Sequence, residues 1–370
     1  MKDLEKTSLS IFILFTIILA FSADHAVFAV GENVTPPAIA TINVGNFPQG
    51  IAYDSSKGEI FVAAYESNSV LVISDSSNVI VANITTKSSA MPFGLAYDSG
   101  KGEIFVANSG DDTVSVISDS TNAVVATVNV GIEPVGLAYD SGKGEIFVAN
   151  TNSSTVSVIS DSSNAVVATV NVGSKPVGLA YDSGKGEIFV ANSGDDTVSV
   201  ISDSTNAVVA TVNVGSLPYG VVYDSGKGEI FVANLFSHSV SVISDSTNTV
   251  VATVEVQNLP YGLDYSDKGK IFVGNNDADI VSVISDSTNE VISTIEGVGS
   301  PSGVAYDFGK GEIFIANEDG GQVFVISDNA SISPSPTVPE FNTSGLILLA
   351  TALVAVTFSA VALAVRKPKK

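Results

Sequence analysis

The chain has no cysteine and no tryptophan, and its 370 residues include only two histidines, His25 and His238, and one arginine, Arg366. Without cysteine there are no disulfides, no thiolate metal centres and no thiol nucleophile. With two histidines, a zinc site built from several imidazoles, a haem with two His ligands and a freely chosen Ser-His-Asp triad all lack parts. Positive charge is scarce too: 39 acidic residues face 16 basic ones, a formal net charge of -23. Leaving out 1–29 and 340–370 removes four acids and six bases, so the middle carries 35 acids against 10 lysines, a net of -25. A field of that sign repels phosphate backbones, so nucleic acid is not an expected partner.

The two ends read as membrane addresses. Lys2 and Lys6 precede an apolar run from Ile11 to Phe21, and "VFA" at Val27–Ala29 offers small residues for cleavage. Residues 1–29 are therefore expected to be a secretory signal peptide, an uncleaved anchor helix being the alternative. Gly345 to Val365 carries no charge and is followed by four basic residues. At about 1.5 Å per residue it spans a bilayer core, with the tail 366–370 in the cytoplasm and the rest outside; a buried core helix is the competing reading. The segment 329–344 is Ser/Pro-rich and extended. Sequons at Asn33, Asn83, Asn152, Asn329 and Asn342 are glycan acceptors if the chain is exported. "VPEF" (Val338–Phe341), the apolar span and the basic tail together resemble the archaeal PEF-type C-terminal sorting signal. That resemblance implies an archaeal cell surface, and a lipid anchor in place of the tail.

Between the ends one unit recurs. "YDSGKGEIFVAN" begins at Tyr97, Tyr139, Tyr181 and Tyr223, with near-copies at Tyr53, Tyr265 and Tyr306. A Pro-x-Gly precedes each, at Pro48, Pro92, Pro134, Pro176, Pro218, Pro260 and Pro301, a period near 42. Each unit holds four short β-type runs separated by turns, as in "VGLAYD", "EIFVAN", "TVSVIS" and "AVVATVNV". Apolar residues on both faces of the middle runs require sheets covered on both sides. The fold expected for 38–328 is all-β: a seven-bladed β-propeller of four-stranded antiparallel blades. The seventh unit lacks its fourth run, and "AIATINVG" (Ala38–Gly45) matches it, so the amino-terminal strand is expected to close the last blade. An open solenoid would need polar caps, and none is visible. The unit resembles the YVTN family of β-propeller repeats of archaeal surface-layer proteins, with "FVAN" in the place of Tyr-Val-Thr-Asn and "VSVISDSTN" matching a later stretch. The family also occurs in other secreted proteins; the resemblance implies the fold, says little of activity and carries over no catalytic residues.

Successive loops of a meander alternate between two ends. The turns "SGKG" and "SDSTN" share one face and are nearly identical between units; the loops after "FVAN" and before Pro-x-Gly share the other and vary. A specific ligand is expected on the variable face. There Leu217, Tyr219, Leu235, Phe236, His238, Leu259 and Tyr261 form a candidate binding patch, with packing beneath the loops as the alternative. Acid pairs Asp111/Asp112, Asp195/Asp196, Asp277/Asp279 and Glu318/Asp319 are candidate calcium ligands, though "SGDD" is equally a hairpin turn and no EF-hand spacing occurs. The aspartates Asp54, Asp98, Asp140, Asp182, Asp224 and Asp307 are read as turn-capping residues. No other cofactor is expected. The functional expectation is a non-catalytic binding or structural module at a cell surface, whose partners are surface proteins or glycans. The alternative is a lactonase-like propeller enzyme with a metal at the central channel, where Asp264 and His238 are the only distinctive groups.

Overall fold

The computed structural model describes residues 38–328 and 333–334, and the chain divides into two units, 1–332 and 333–370. The segments read as signal peptide, apolar span and basic tail lie outside the described residues, as do Asn33, Asn329 and Asn342. Of 329–344 only Ser333–Pro334, an extended pair, is described. Among the described residues no helix is long and apolar enough to cross a membrane.

The first unit is a ring of seven antiparallel blades of four strands, each strand six or seven residues long. Blade 1 begins at Pro48, and blades 2 to 7 begin at Pro92, Pro134, Pro176, Pro218, Pro260 and Pro301. The first strand of each blade lies innermost. In blades 1 to 6 the strands follow in sequence order; in blade 7 the outermost place is taken by Ala38–Asn43. That strand pairs with Gln322–Ser327 in the register Thr41 to Phe324, Ile42 to Val323 and Asn43 to Gln322. Closure by the amino-terminal strand is therefore observed, and no open end blade remains.

Burial grades outward along each blade. The second strand, as in Glu187–Asn192, is buried on both faces, and the fourth, as in Ala207–Asn213, is mostly exposed. One phenylalanine per blade, from Phe61 to Phe314, is fully buried. The core is a series of inter-blade layers. Phe105, Val114 and Val116 of blade 2 pack on Ile146, Val148 and Ile159 of blade 3. Phe314, Val323 and Val325 of blade 7, with Ile42 of the closing strand, pack on Ile60, Val62 and Ile73 of blade 1. Truncating one such Phe to Ala costs about 3–5 kcal/mol.

Three sets of repeated residues join neighbouring blades. The first is the glycine of Pro-x-Gly. A Cβ on Gly50, Gly94, Gly136, Gly178, Gly220, Gly262 or Gly303 would lie 2.1–2.5 Å from a main-chain carbonyl oxygen of the next blade, and the last of these contacts, Gly303 to Gln49, returns to blade 1. Only glycine lets the inner strands approach the axis this closely. The second set is ionic. Each "SGKG" lysine reaches the "SDSTN"-type aspartate one blade on: Lys57 to Asp119, Lys101 to Asp161, Lys143 to Asp203, Lys185 to Asp245, Lys268 to Asp328, and Lys310 back to Asp75. Lys227 donates to the Asp286 carbonyl in the same way. The third set is phenolic. The hydroxyls of Tyr139, Tyr181 and Tyr223 meet Asp98, Asp140 and Asp182 of the preceding blade; burial first, then these carboxylates, push the phenols above their ordinary range. Tyr265, against Asp224, is pushed up to about 12 by the same causes in the same order. These phenols stay protonated at neutral pH and remain donors.

Candidate functional site

The inner strands leave an axial channel that widens at both ends. On the face of the identical turns it opens into a funnel of about 500 Å³, lined by Leu, Val, Ala, Tyr and Ser side chains and Phe308. On the variable face it ends in a cavity of about 170 Å³. The middle residue of each Pro-x-Gly lines this cavity: Gln49, Phe93, Val135, Val177, Tyr219, Tyr261 and Ser302. The residue after each glycine, from Ile51 to Val304, forms an apolar ring below them. No charged side chain lines either opening.

Symmetry of the backbone puts the seven middle residues at one depth, so their differences define the cavity. Tyr219 and Tyr261, on adjacent blades, stack with ring centroids 4.2 Å apart, and the Tyr261 hydroxyl donates to the Tyr219 hydroxyl at 2.6 Å. Burial raises both phenols above their ordinary range. Phe93, on blade 2, stands across a seven-fold ring from blades 5 and 6, and like Tyr219 it packs against the cluster of Val135, Val177 and Ala191. Tyr65, from the preceding blade, meets Phe93 edge-on at 6.0 Å. Ser302 donates its hydroxyl to the Pro48 carbonyl at 2.7 Å. Gln49 is only 5% exposed, and its side-chain oxygen has no hydrogen-bond partner.

The sequence-derived patch separates into parts with different surroundings. Tyr219 and Tyr261 line the channel mouth. Leu235 is buried beneath the loops, whereas Phe236 is 65% exposed. Leu217 and Leu259 are half-buried, each at positive φ immediately before a proline. His238 is exposed, and its Nδ1 accepts the Leu259 N–H at 3.3 Å. Asp112 and Asp196 stand at the equivalent place and accept the N–H groups of Glu133 and Leu217, both at 2.8 Å. His238 thus occupies a position that carries aspartate in three other blades, as Asp112, Asp196 and Asp279, the first two of which clamp the neighbouring loop in the same way.

Asp111, Asp195, Glu318 and Asp319 are similarly engaged. Asp195 accepts the Ser174 N–H at 2.5 Å, and Asp111 accepts the Thr113 hydroxyl and pairs with Lys87 at 3.7 Å. Asp277 lies inside the single helical turn Asn276–Ala278, and Asp279 caps its end in the left-handed region. Glu318 accepts the Asn276 side-chain amide at 3.1 Å, and Asp319 accepts the Ser300 hydroxyl at 2.7 Å. Among the described residues no three His, Cys, Asp or Glu side chains are grouped to hold a metal ion. The turn aspartates cap main-chain N–H groups, as Asp98 does for Gly100 and Lys101. Asp264 stands where the other inner strands carry alanine or, in blade 5, Val222, and its two oxygens accept the N–H groups of Tyr265 and Tyr306, both at 2.8 Å. Burial outweighs these bonds and raises its carboxyl to about 6. Asn83 lies exposed on the outer strand of blade 1, and Asn152 is exposed in a loop of the variable face.

Comparison of the residues alone missed Gln49 and Phe93. The signal was the single variable letter inside Pro-x-Gly, read as Gln, Phe, Val, Val, Tyr, Tyr and Ser around the ring.

A model of the YNCE-like beta-propeller family matches residues 174–325, blades 4 to 7. No curated protein matches the chain. Among solved structures, "Kuenenia stuttgartiensis Hydrazine Synthase" is similar with a TM-score of 0.69 at 15% identity, covering 81% of this chain and 99% of that one. At that identity the likeness concerns the fold alone. The chain is a seven-bladed β-propeller, similar over its last four blades to the YNCE-like group.

Proposed function

We propose that the chain is an exported, membrane-anchored propeller that serves as a binding or structural module at a cell surface, as a surface-layer component or adhesion scaffold. Its apolar, basic-flanked ends and its PEF-like and YVTN-like stretches support the location. One observation carries the binding role: the seven residues at the variable channel mouth are uncharged, comprise five residue types around the ring and include an aromatic pair. On the opposite face the repeated lysines are engaged in inter-blade contacts. A partner that needs one orientation about the axis must read the variable face.

The test is site-specific photo-cross-linking on intact cells. A cross-linker at exposed Phe236 should yield a discrete adduct, and one at exposed Ser120 on the repeat face should not. Equal adducts at both places, or none at Phe236, would refute this reading.

A further inference from the structure

We propose that the cavity at the variable channel mouth binds an uncharged saccharide ring. The inference deepens the proposed function and rests on it, because it names the ligand class of the same site. Three observations lead there.

The first is the absence of charge. An ion taken from water into this cavity would meet no counter-charge in the lining, and desolvation of an unpaired ion is prohibitive. The overall charge of -23 adds repulsion against anions. The second is shape. Phe93 on one side of the ring and the Tyr219–Tyr261 pair on the other bring aromatic side chains to the lining, with Val135 and Val177 on the blades between. The volume of about 170 Å³ lies below that of pockets for drug-sized molecules, and suits a single ring.

The third is unspent hydrogen-bonding capacity. Gln49 is buried at the lining with an unpartnered side-chain oxygen, a condition that costs roughly 1–3 kcal/mol. Two hydroxyls that share one hydrogen bond, as Tyr219 and Tyr261 do, leave one proton for another acceptor. The buried amide of Gln49 on blade 1 and the phenolic pair on blades 5 and 6 therefore belong to residues that line one small space walled by apolar surface. A sugar meets these demands together: its C–H face lies on aromatic rings, and its hydroxyls both donate and accept. A purely apolar side chain would leave Gln49 unpaired.

Binding is measured by isothermal titration calorimetry on the full-length chain with glucose, galactose, mannose and N-acetylglucosamine, and with glucuronate and glucosamine as charged counterparts. At least one neutral sugar should bind, and its charged counterparts should bind at least about tenfold more weakly. Gln49→Leu should weaken binding about tenfold or more while leaving the unliganded melting temperature unchanged or higher, since an unpaired buried amide is replaced by an apolar group. A merely structural Gln49 would instead lower the melting temperature and leave affinity intact. Phe93→Ser supplies a second variant should Gln49→Leu misfold. No heat with any neutral sugar, tighter binding of glucosamine or glucuronate, or unchanged affinity in both variants would overturn the proposal. A Phe236 adduct on intact cells together with no sugar binding would sink the saccharide assignment and leave the surface-binding role standing.

Discussion

Replacing Gly178 by alanine tests how tightly the inner strands are held about the axis. The added methyl would sit 2.1 Å from the Tyr219 carbonyl oxygen, 3.1 Å from its carbon and 3.2 Å from the Gly220 Cα. All three are main-chain atoms of the next blade, so no side chain can swing away. Relief needs a displacement of about 1 Å, and a closed ring resists it because blade 5 is also packed against blade 6. Overpacking of this kind costs about 1–3 kcal/mol. With an unfolding entropy of roughly 2.1 cal/mol/K per residue, a ring of residues 38–328 loses about 3 °C for 2 kcal/mol. Alanine also reduces the freedom of the unfolded chain, a gain of about 0.4–1 kcal/mol that partly offsets the clash. Gly184→Ala is the control. Its methyl would meet only side-chain ends, the Tyr223 hydroxyl at 3.0 Å and Asp182 Oδ1 at 3.1 Å, while the unfolded-state gain is the same. Differential scanning calorimetry should place Gly178→Ala below Gly184→Ala by several degrees. Equal melting temperatures, or the reverse order, would refute axial closure through glycine.

Asn192 is fully buried and donates to Thr197 at 3.1 Å and Ser199 at 2.9 Å, so Asn192→Ala should cost about 1–3 kcal/mol by thermal denaturation. Blade 1 carries Ala64 and Leu71 at the matching places; the double variant Asn192→Ala/Ser199→Leu should therefore recover part of the loss, a coupling that a double-mutant cycle measures. Lys143→Met removes a half-exposed ion pair with Asp203 at 3.8 Å, and should cost no more than about 1 kcal/mol, less at high salt. For Asp264 the folded carboxyl titrates at about 6 against 3.8 unfolded, so between these values the folded state binds more protons and stability falls as pH rises. Asp264→Asn should flatten the dependence of melting temperature on pH between about 4 and 6, by at most about 3 kcal/mol. An unchanged pH profile would contradict the raised carboxyl.

The period of the Pro-x-Gly units and the four runs within each made the blades legible, because β-sheet alternation and turn chemistry are local. The match of "AIATINVG" to the outer run of other units made closure legible as well, since a missing strand at one end and a spare one at the other admit few arrangements. The inter-blade contacts were not legible. Lys143 and Asp203 lie 60 residues apart in different units, and their identity across repeats looks the same whether it reflects duplication or a structural contact. Rarity gave no structural role: His238 drew notice as the lone histidine of the ring, and only the structure shows that it accepts an N–H group where Asp112 and Asp196 do so elsewhere. Tyr219 and Tyr261 stood out because they neighbour one another on the variable face. Gln49 and Phe93 belong to blades far off in sequence, and only the ring places them around the same cavity.

Closure of the ring is tested most directly by a disulfide across its seam. Asn43 and Gln322 are opposed in the closing pair, and the Gln322 amide donates to Asn43 at 3.3 Å. Opposed residues on antiparallel strands lie within disulfide reach, and the chain has no cysteine to compete. In the Asn43→Cys/Gln322→Cys variant, mild oxidation should produce an intramolecular crosslink in nearly every molecule, seen as the loss of both titratable thiols and a monomer of altered mobility on a non-reducing gel. Two free thiols in the folded protein, or crosslinks only between molecules, would mean that Ala38–Asn43 does not complete the seventh blade.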